Sequence, residues 1–238
     1  MAAGRPVFTA DYYAVDGASG KVSAFVDWND PTHTLAQATS ANQVAIPAAH
    51  ADFAGKLCAN FTGSERYQSN KDVWKPMHDG TGSTCCCVFT ATSVSGFGTW
   101  CATTTVGGGP TQLGFVLGRS ATDGRWQVGN GTSTVFQTSP ADGYVVDIPT
   151  YRDVSYSETA GTKRTYRVKG TITSSGGTSA APSSSNPVGR LMLAASTAGT
   201  SAAAMRWRSL VFLPFQDTGA AGRTLVQQWI QQDTGIGP

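Results

Sequence analysis

Charge is scarce in this chain of 238 residues: Asp, Glu, Lys and Arg together make up 13%, and the formal net charge is only +2. A nucleic-acid reader normally carries a basic patch or stripe, and that balance leaves no footprint for one. Glutamate is rarer still, with only Glu65 and Glu158. Glycosidases need two carboxyl groups about 5–5.5 Å apart for retention or about 6.5–9.5 Å for inversion. Neither glutamate has a carboxylate neighbour in a strand pattern, and Asp142 and Asp147 are an odd number of residues apart, on opposite faces of any strand. The histidines are His33, His50 and His78, and no GxSxG elbow accompanies them. The glycine runs at 107–109 and 176–177 lead into loop rather than helix, so no phosphate or dinucleotide cradle forms. No stretch approaches the ~20 apolar residues of a membrane span, and Met1–Val7 holds no signal-like apolar run.

Cysteine is limited to five residues, an odd number, with neither zinc spacing nor CxxC. Cys85, Cys86 and Cys87 are consecutive, so in a strand they point to alternate faces. Buried free thiols from a reducing cytoplasm are the expectation, with a Cys87–Cys101 bridge as the secondary reading.

What is abundant is Gly (28 residues) with Ser, Thr and Ala, a mix that favours short strands and many turns. Cys85, Cys87, Phe89 and Ala91 alternate with Cys86, Val88 and Thr90, and a Thr-rich run from Thr99 to Val106 reads as the returning strand. Leu113, Phe115 and Leu117 form one face of a third strand, and Asp123-Gly124 marks a turn into Trp126 and Val128. Thr134–Thr138, Tyr144–Ile148 and Arg164–Ile172 supply three more. Lys163, Arg164, Arg167 and Lys169 alternate faces there and read as a solvated edge. Residues 173–188, nearly all Ser, Gly, Thr, Ala, Pro and Asn, read as a surface loop, because the strand pattern resuming at Leu191 needs the earlier strands as partners. Near the end, Leu225, Val226, Trp229 and Ile230 fall on one helical face, with Asp217 or Thr218 as cap and Gly235 as stop. The sequence therefore predicts an all-β, two-sheet antiparallel jelly-roll sandwich with one short helix near 220–233. Residues 1–10 are expected to be an N-terminal arm without a strand partner, and residues 11–238 a single domain.

The two ends carry a resemblance. One runs Asp11-Tyr12-Tyr13, Val22 to Trp28, Leu35-Ala36-Gln37 and Leu57 to Gly63; the other runs Gly189 to Leu193 and Met205 to Phe212 before the helix. This spacing resembles the laminin G-like members of the concanavalin A-like lectin/glucanase superfamily, of the kind found in phage virion proteins. The resemblance covers almost the whole chain, although Ala220, Ala221 and Gly222 replace the acidic residue usual in the first helical turn. It implies a non-enzymatic accessory protein of a virion, decorating capsid or tail, made and assembled in the host cytoplasm. Its partners would be other virion proteins, in a homo-oligomer or multi-copy assembly, with no nucleic acid or membrane. The alternatives are a carbohydrate-binding adhesion module with no structural role in a particle and, least favoured, a glycoside hydrolase.

A lectin site stacks an aromatic ring on a sugar and grips hydroxyls with Asp, Asn or His. Trp74 with His78 and Asp79, and Asp123 with Trp126, have that composition, against the plainer reading of both tryptophans as core or interface anchors. No cofactor is expected; calcium, common in the superfamily, has Asp72 and Asp79 as weak candidate ligands without a DxDxDG-like loop. In Met205–Phe212, alternation places Met205, Trp207, Ser209 and Val211 on one face and Arg206, Arg208, Leu210 and Phe212 on the other. The two arginines are then expected to meet acidic residues of a partner.

Overall fold

The computed structural model of the chain describes residues 5–74, 82–93, 98–103, 113–120, 123–130, 134–137, 146–156, 161–167, 170–175, 190–195, 202–214 and 221–236. It opens with β1 (Val7–Val15), β2 (Val22–Asp27) and β3 (Thr34–Ala36), then β4 (Ala48–Ala49), β5 (Leu57–Thr62) and β6 (Tyr67–Ser69). The middle holds β7 (Ser83–Ala91), β8 (Gly98–Ala102), β9 (Leu113–Ser120), β10 (Asp123–Asn130) and β11 (Thr134–Gln137). It ends with β12 (Pro149–Tyr156), β13 (Gly161–Arg167), β14 (Gly170–Ser175), β15 (Met192–Leu193), β16 (Ala204–Leu213) and the helix α1 (Ala221–Thr234).

The ladder runs β11-β10-β9-β8-β15-β6-β3-β2-β1-β16-β7-β12-β13-β14, with β5 pairing β16 and β4 beside β5. Phe89 of β7 and Trp100 of β8 have six strands between them along that path, yet their rings lie 4.3 Å apart. The ladder therefore folds back on itself, and two antiparallel layers face each other across one core, as expected of the sandwich. That core takes Phe8, Phe25, Tyr67, Phe89, Trp100 and Trp207 with their neighbours from both layers. A second cluster on the outer face of β7 and β16 gathers Cys86, Val88, Tyr151, Val211 and Leu213 under Ile230 of α1. β7 is thus covered on both faces, and all nine of its residues are buried. Cys85 and Cys87 enter the main core and Cys86 the outer cluster, the alternation that the cysteine triplet predicts.

All five cysteines are free and buried. The thiol that hydrogen-bonds Cys101 belongs to Cys85, so the Cys87–Cys101 bridge does not form.

Other expectations are corrected. Residues 7–10 of the expected arm belong to the sandwich, because Val7, Phe8 and Thr9 pair with Val211, Leu210 and Ser209, and Phe8 and Ala10 are core residues. Val146 and Asp147 form a turn, with Asp147 at φ 57°, and the strand follows at Pro149. Arg164–Ile172 is not one strand but parts of β13 and β14, which pair with each other. The basic residues of β13 therefore sit one strand in from the edge, which β14 forms. The expected loop at 173–188 begins inside β14, whose last residue is Ser175; residues 176–188 lie outside the described ones. Asp123 pairs with Ser120, so Asp123 and Gly124 start β10 rather than make the turn.

In β16 the ladder to β7 pairs Trp207 with Phe89 but Ser209 with Val88, leaving Arg208 as the extra residue of a bulge. One extra residue flips every later side chain. Met205 and Trp207 face the main core before the bulge, and Leu210 and Phe212 face it afterwards. Both arginines find acidic partners inside the chain. Arg206 Nε donates to Asp52 at 2.7 Å and its Nη2 to Asp147 at 2.8 Å. Arg208, 2% exposed, grips Asp233 of α1 at 2.8 and 3.0 Å and pairs with Asp11 of β1. This clamp fixes the helix. Gly235 closes α1 in the left-handed region at φ 71°, as the sequence predicts, while Asp217 and Thr218 lie outside the described residues. The inner face is Val226 and Ile230, whereas Leu225 stays exposed.

Candidate functional site

Trp74 does not present a ring to a sugar. It is completely buried, with its ring centroid 5.1 Å from that of Phe212 and 6.5 Å from that of Phe8. A stacking platform must reach solvent, so the lectin reading of Trp74 gives way to the core reading. His78 and Asp79 lie outside the described residues, and so do the side chains of Asp123 and Trp126, whose backbones are in β10. Asp72 is exposed. Among the described residues no group of three or more His, Cys, Asp or Glu is placed to hold a metal.

What holds Trp74 is a polar chain that sequence reasoning missed. His33 Nδ1 is 3.1 Å from Asp27 Oδ2, and His33 Nε2 is 2.9 Å from Ser69 Oγ. The order Asp, His, Ser repeats the connectivity of a hydrolytic triad. Its surroundings do not favour that chemistry. Ser69 Oγ donates to the Lys71 carbonyl at 2.7 Å and accepts from Trp74 Nε1 at 3.0 Å, and all three members are at most 2% exposed. Asp27 Oδ1 accepts from the backbone N–H groups of Val7 and Asn29. The chain ties β1, β2, β3 and β6 together beneath the surface. Asp27 and His33 are six residues apart but Ser69 lies 36 residues beyond His33, so no local motif announces the three together.

Directly outside this pin lies an open polar groove of about 480 Å³, within the range of small-ligand sites. Tyr67 and Ser69 of β6 point inward, so Arg66, Gln68 and Asn70 are left on the outer face. Beside them run Ala36 of β3 and Met192 of β15, with Gln37, Asn42 and Arg190 completing the walls. The walls are partly fixed already. Gln37 Nε2 donates to the Arg66 carbonyl at 2.9 Å, while Asn70 accepts from the Thr34 N–H at 2.8 Å and donates to the Thr32 carbonyl. Gln68 and Arg190 are exposed, with donors available to a ligand. The lining thus offers amides and guanidinium groups over a small apolar floor, and no carboxylate is among the described lining residues.

A second concavity, of about 450 Å³, is apolar and lies between α1, the start of β1 and the end of β16. Val7, Val211, Leu213, Leu225 and the two tryptophans Trp28 and Trp229 line it. Trp28 is 57% exposed and Trp229 37%, with Trp28 Nε1 donating to Thr9 Oγ1 at 2.9 Å. Among the described residues no helix is long and apolar enough to cross a membrane.

No family model matches the chain. No curated protein matches it either. Solved structures do. Trypanosoma rangeli sialidase in complex with 2,3-difluorosialic acid aligns with a TM-score of 0.58 and 13% identity, over 98% of this chain and 34% of that one. A GH54 α-L-arabinofuranosidase soaked with a cyclic sulfate inhibitor aligns with a TM-score of 0.60 and 11% identity, over 91% of this chain and 52% of that one. The chain spans only a third to a half of the length of these glycosidases, and at such identities the likeness is one of fold, an all-β architecture shared with carbohydrate-active enzymes.

Proposed function

We propose that the chain is a glycan-binding module without hydrolytic activity, and that its sugar site is the outer groove over β3, β6 and β15. The observation that carries this reading is the groove itself: amide side chains arrayed along one strand face beside Met192, on a sheet whose inner face is rigidly packed. Sugars are held by such fixed donors and acceptors over a modest apolar surface. The carbohydrate-active neighbours in fold agree with this reading, and so does the buried, fully engaged state of Ser69. A glycan array with the purified protein is the test, followed by titration of any hit against Gln68→Ala. Binding that this substitution weakens supports the groove. A hit that Gln68→Ala leaves unchanged in a folded protein moves the site elsewhere.

The second reading is the virion accessory protein of the laminin G-like, concanavalin A-like kind, docked on capsid or tail proteins in many copies. The apolar cleft favours a protein-facing surface, because Trp28, Trp229 and Leu225 expose aromatic and aliphatic area of the type enriched at interfaces. Both readings are compatible in one protein. Sedimentation of the protein and of Trp28→Glu/Trp229→Glu separates them: a multimer dissolved by the pair supports assembly through the cleft, and a monomer unaffected by the pair removes it.

A further inference from the structure

The groove is closed on one side and open on the other. Residues directly opposite each other in antiparallel strands share a face, so the ladder sets a row across the outer surface through Gln68. On one side of Gln68 the row takes Met192 of β15, Ala102 of β8 and Val116 of β9. These three turn outward, because Leu193, Cys101 and Leu117 beside them belong to the core, yet each is at most 5% exposed. The outer face of those strands is therefore covered, and the cover ends as a step beside Gln68. On the other side the row takes Ala36 of β3, Ala24 of β2 and Ala14 of β1. Ala36 and Ala14 are exposed and Ala24 is half-buried. Their methyl groups make a low shelf that runs roughly 14 Å away from Gln68, three strand spacings. Along β6 the exits are filled by tethered side chains, Gln37 bonded to the Arg66 carbonyl at one end and Asn70 bonded to Thr32 and Thr34 at the other. The open way out is across the strands, over the alanines.

We propose that the groove takes the end of a linear glycan chain, with the terminal unit lodged against the step at Gln68 and Met192 and the following units laid over Ala36 toward Ala14. A chain crossing the strands at Gln68 cannot continue past Met192, because the covered face stands in its path. An internal stretch of a long polymer is thereby excluded, and a free end is admitted. Directed hydrogen bonds are concentrated on the terminal unit, where the amides of Gln68, Gln37 and Asn42 line the groove. Units farther out meet alanine, which gives contact area but neither donor nor acceptor. The shelf lies on strands packed against the core, so its direction is fixed by register rather than by loop motion. The inference rests on the groove being the sugar site and adds which part of a glycan enters it.

The experiment is calorimetric titration of the full chain with linear oligomers of β-1,4-xylose, β-1,4-mannose and β-1,3-glucose, from monosaccharide to hexasaccharide, and then with the long polymer of whichever binds. The expected stoichiometry is one protein per polymer chain, whatever the polymer length. Affinity should rise with oligomer length and level off at about the fourth unit, as the chain outgrows the roughly 19 Å from Met192 to Ala14. Gln68→Ala should weaken every oligomer about fivefold or more. Ala24→Glu, which raises a charged side chain from the shelf, should weaken the longer oligomers by a similar factor and leave the disaccharide unchanged, with the thermal midpoint preserved. Ala14→Glu, at an exposed position, replaces it if that variant is unstable. Many proteins bound along each polymer, with Gln68→Ala still damaging, overturns end recognition and leaves the groove as the sugar site. Length-independent affinity that the shelf variants do not alter overturns it too. Binding by none of the oligomers, or binding that Gln68→Ala leaves untouched, takes down the groove reading together with this one.

Discussion

Phe89 and Trp100 meet with ring centroids 4.3 Å apart across the interior, although the hydrogen-bonded path between their strands crosses six others. Their contact closes the two layers. The Arg152 guanidinium lies 4.8 Å from the Trp100 ring centroid and 6.0 Å from that of Phe89, so a buried cation covers the same pair. Truncating Trp100 to Ala removes a large buried ring and leaves a cavity, and should cost about 3–5 kcal/mol. Urea unfolding should show the midpoint falling accordingly. A loss below about 1 kcal/mol would mean that the layers do not pack through this residue.

Trp74 and Ser69 provide a separate test of the buried pin. Ser69→Ala deprives Trp74 Nε1 and His33 Nε2 of the same partner, and each unmade buried hydrogen bond carries a penalty of about 1–3 kcal/mol. The variant should be destabilised by at least that amount, while glycan affinity measured well below its melting point stays unchanged. Lost binding with full stability would instead make Ser69 part of a site.

The clamp between Arg208 and Asp233 should be what docks the helix. Arg208 keeps Asp11 and the Leu57 carbonyl when Asp233 is removed, so its charge is not stranded and the loss is that of charge-assisted hydrogen bonds. Asp233→Ala should therefore reduce stability by about 1–3 kcal/mol and raise amide exchange across Ala221–Thr234. Exchange confined to its wild-type rate would show that Ile230 and Val226 hold α1 by themselves.

Acid should destabilise the protein through its turn carboxylates. The Lys71 ammonium, with Thr32, brings Asp30 down to about 2, and the Ala18 N–H together with the Ser19 hydroxyl lowers Asp16. At Glu65 burial pushes upward, but the hydrogen bonds from Thr62 and Ser64 outweigh it. Each folded value lies below the unfolded one, so the stabilisation is complete above about pH 4.5 and is lost as pH falls toward 2. Thermal midpoints should drop over that window, and Lys71→Ala should shallow the drop. A flat profile between pH 5 and 2 would contradict the assignment.

The thiols should be counted directly. Burial pushes Cys86 and Cys87 well above the usual thiol range, and at Cys101 the hydrogen bond with Cys85 leads and burial adds to it. The native protein should react slowly with an aromatic disulfide reagent, since only thiolate attacks. After denaturation without reductant all five should titrate. A count of three or fewer would reveal a bridge.

Local chemistry alone settled much of this protein. The period of two in Cys85–Ala91 set a strand buried on both faces, the period near four in Val226 and Ile230 set a helix, and Gly235 ended it, because each depends only on neighbours a few residues away. Tertiary structure decided the rest. The bulge at Arg208 reversed the faces of Leu210 and Phe212, since a flipped register is stable only when a partner strand and a buried carboxylate receive the extra residue. Residues 7–10 became a strand because β16, some two hundred residues later, offered an edge. Trp74 carries a polar, turn-rich context in sequence yet fills the core, where Ser69 satisfies its N–H. The groove was illegible for the same reason. Gln68 and Arg190 belong to different ends of the chain, and only the pairing of β6 with β15 puts their side chains on one face.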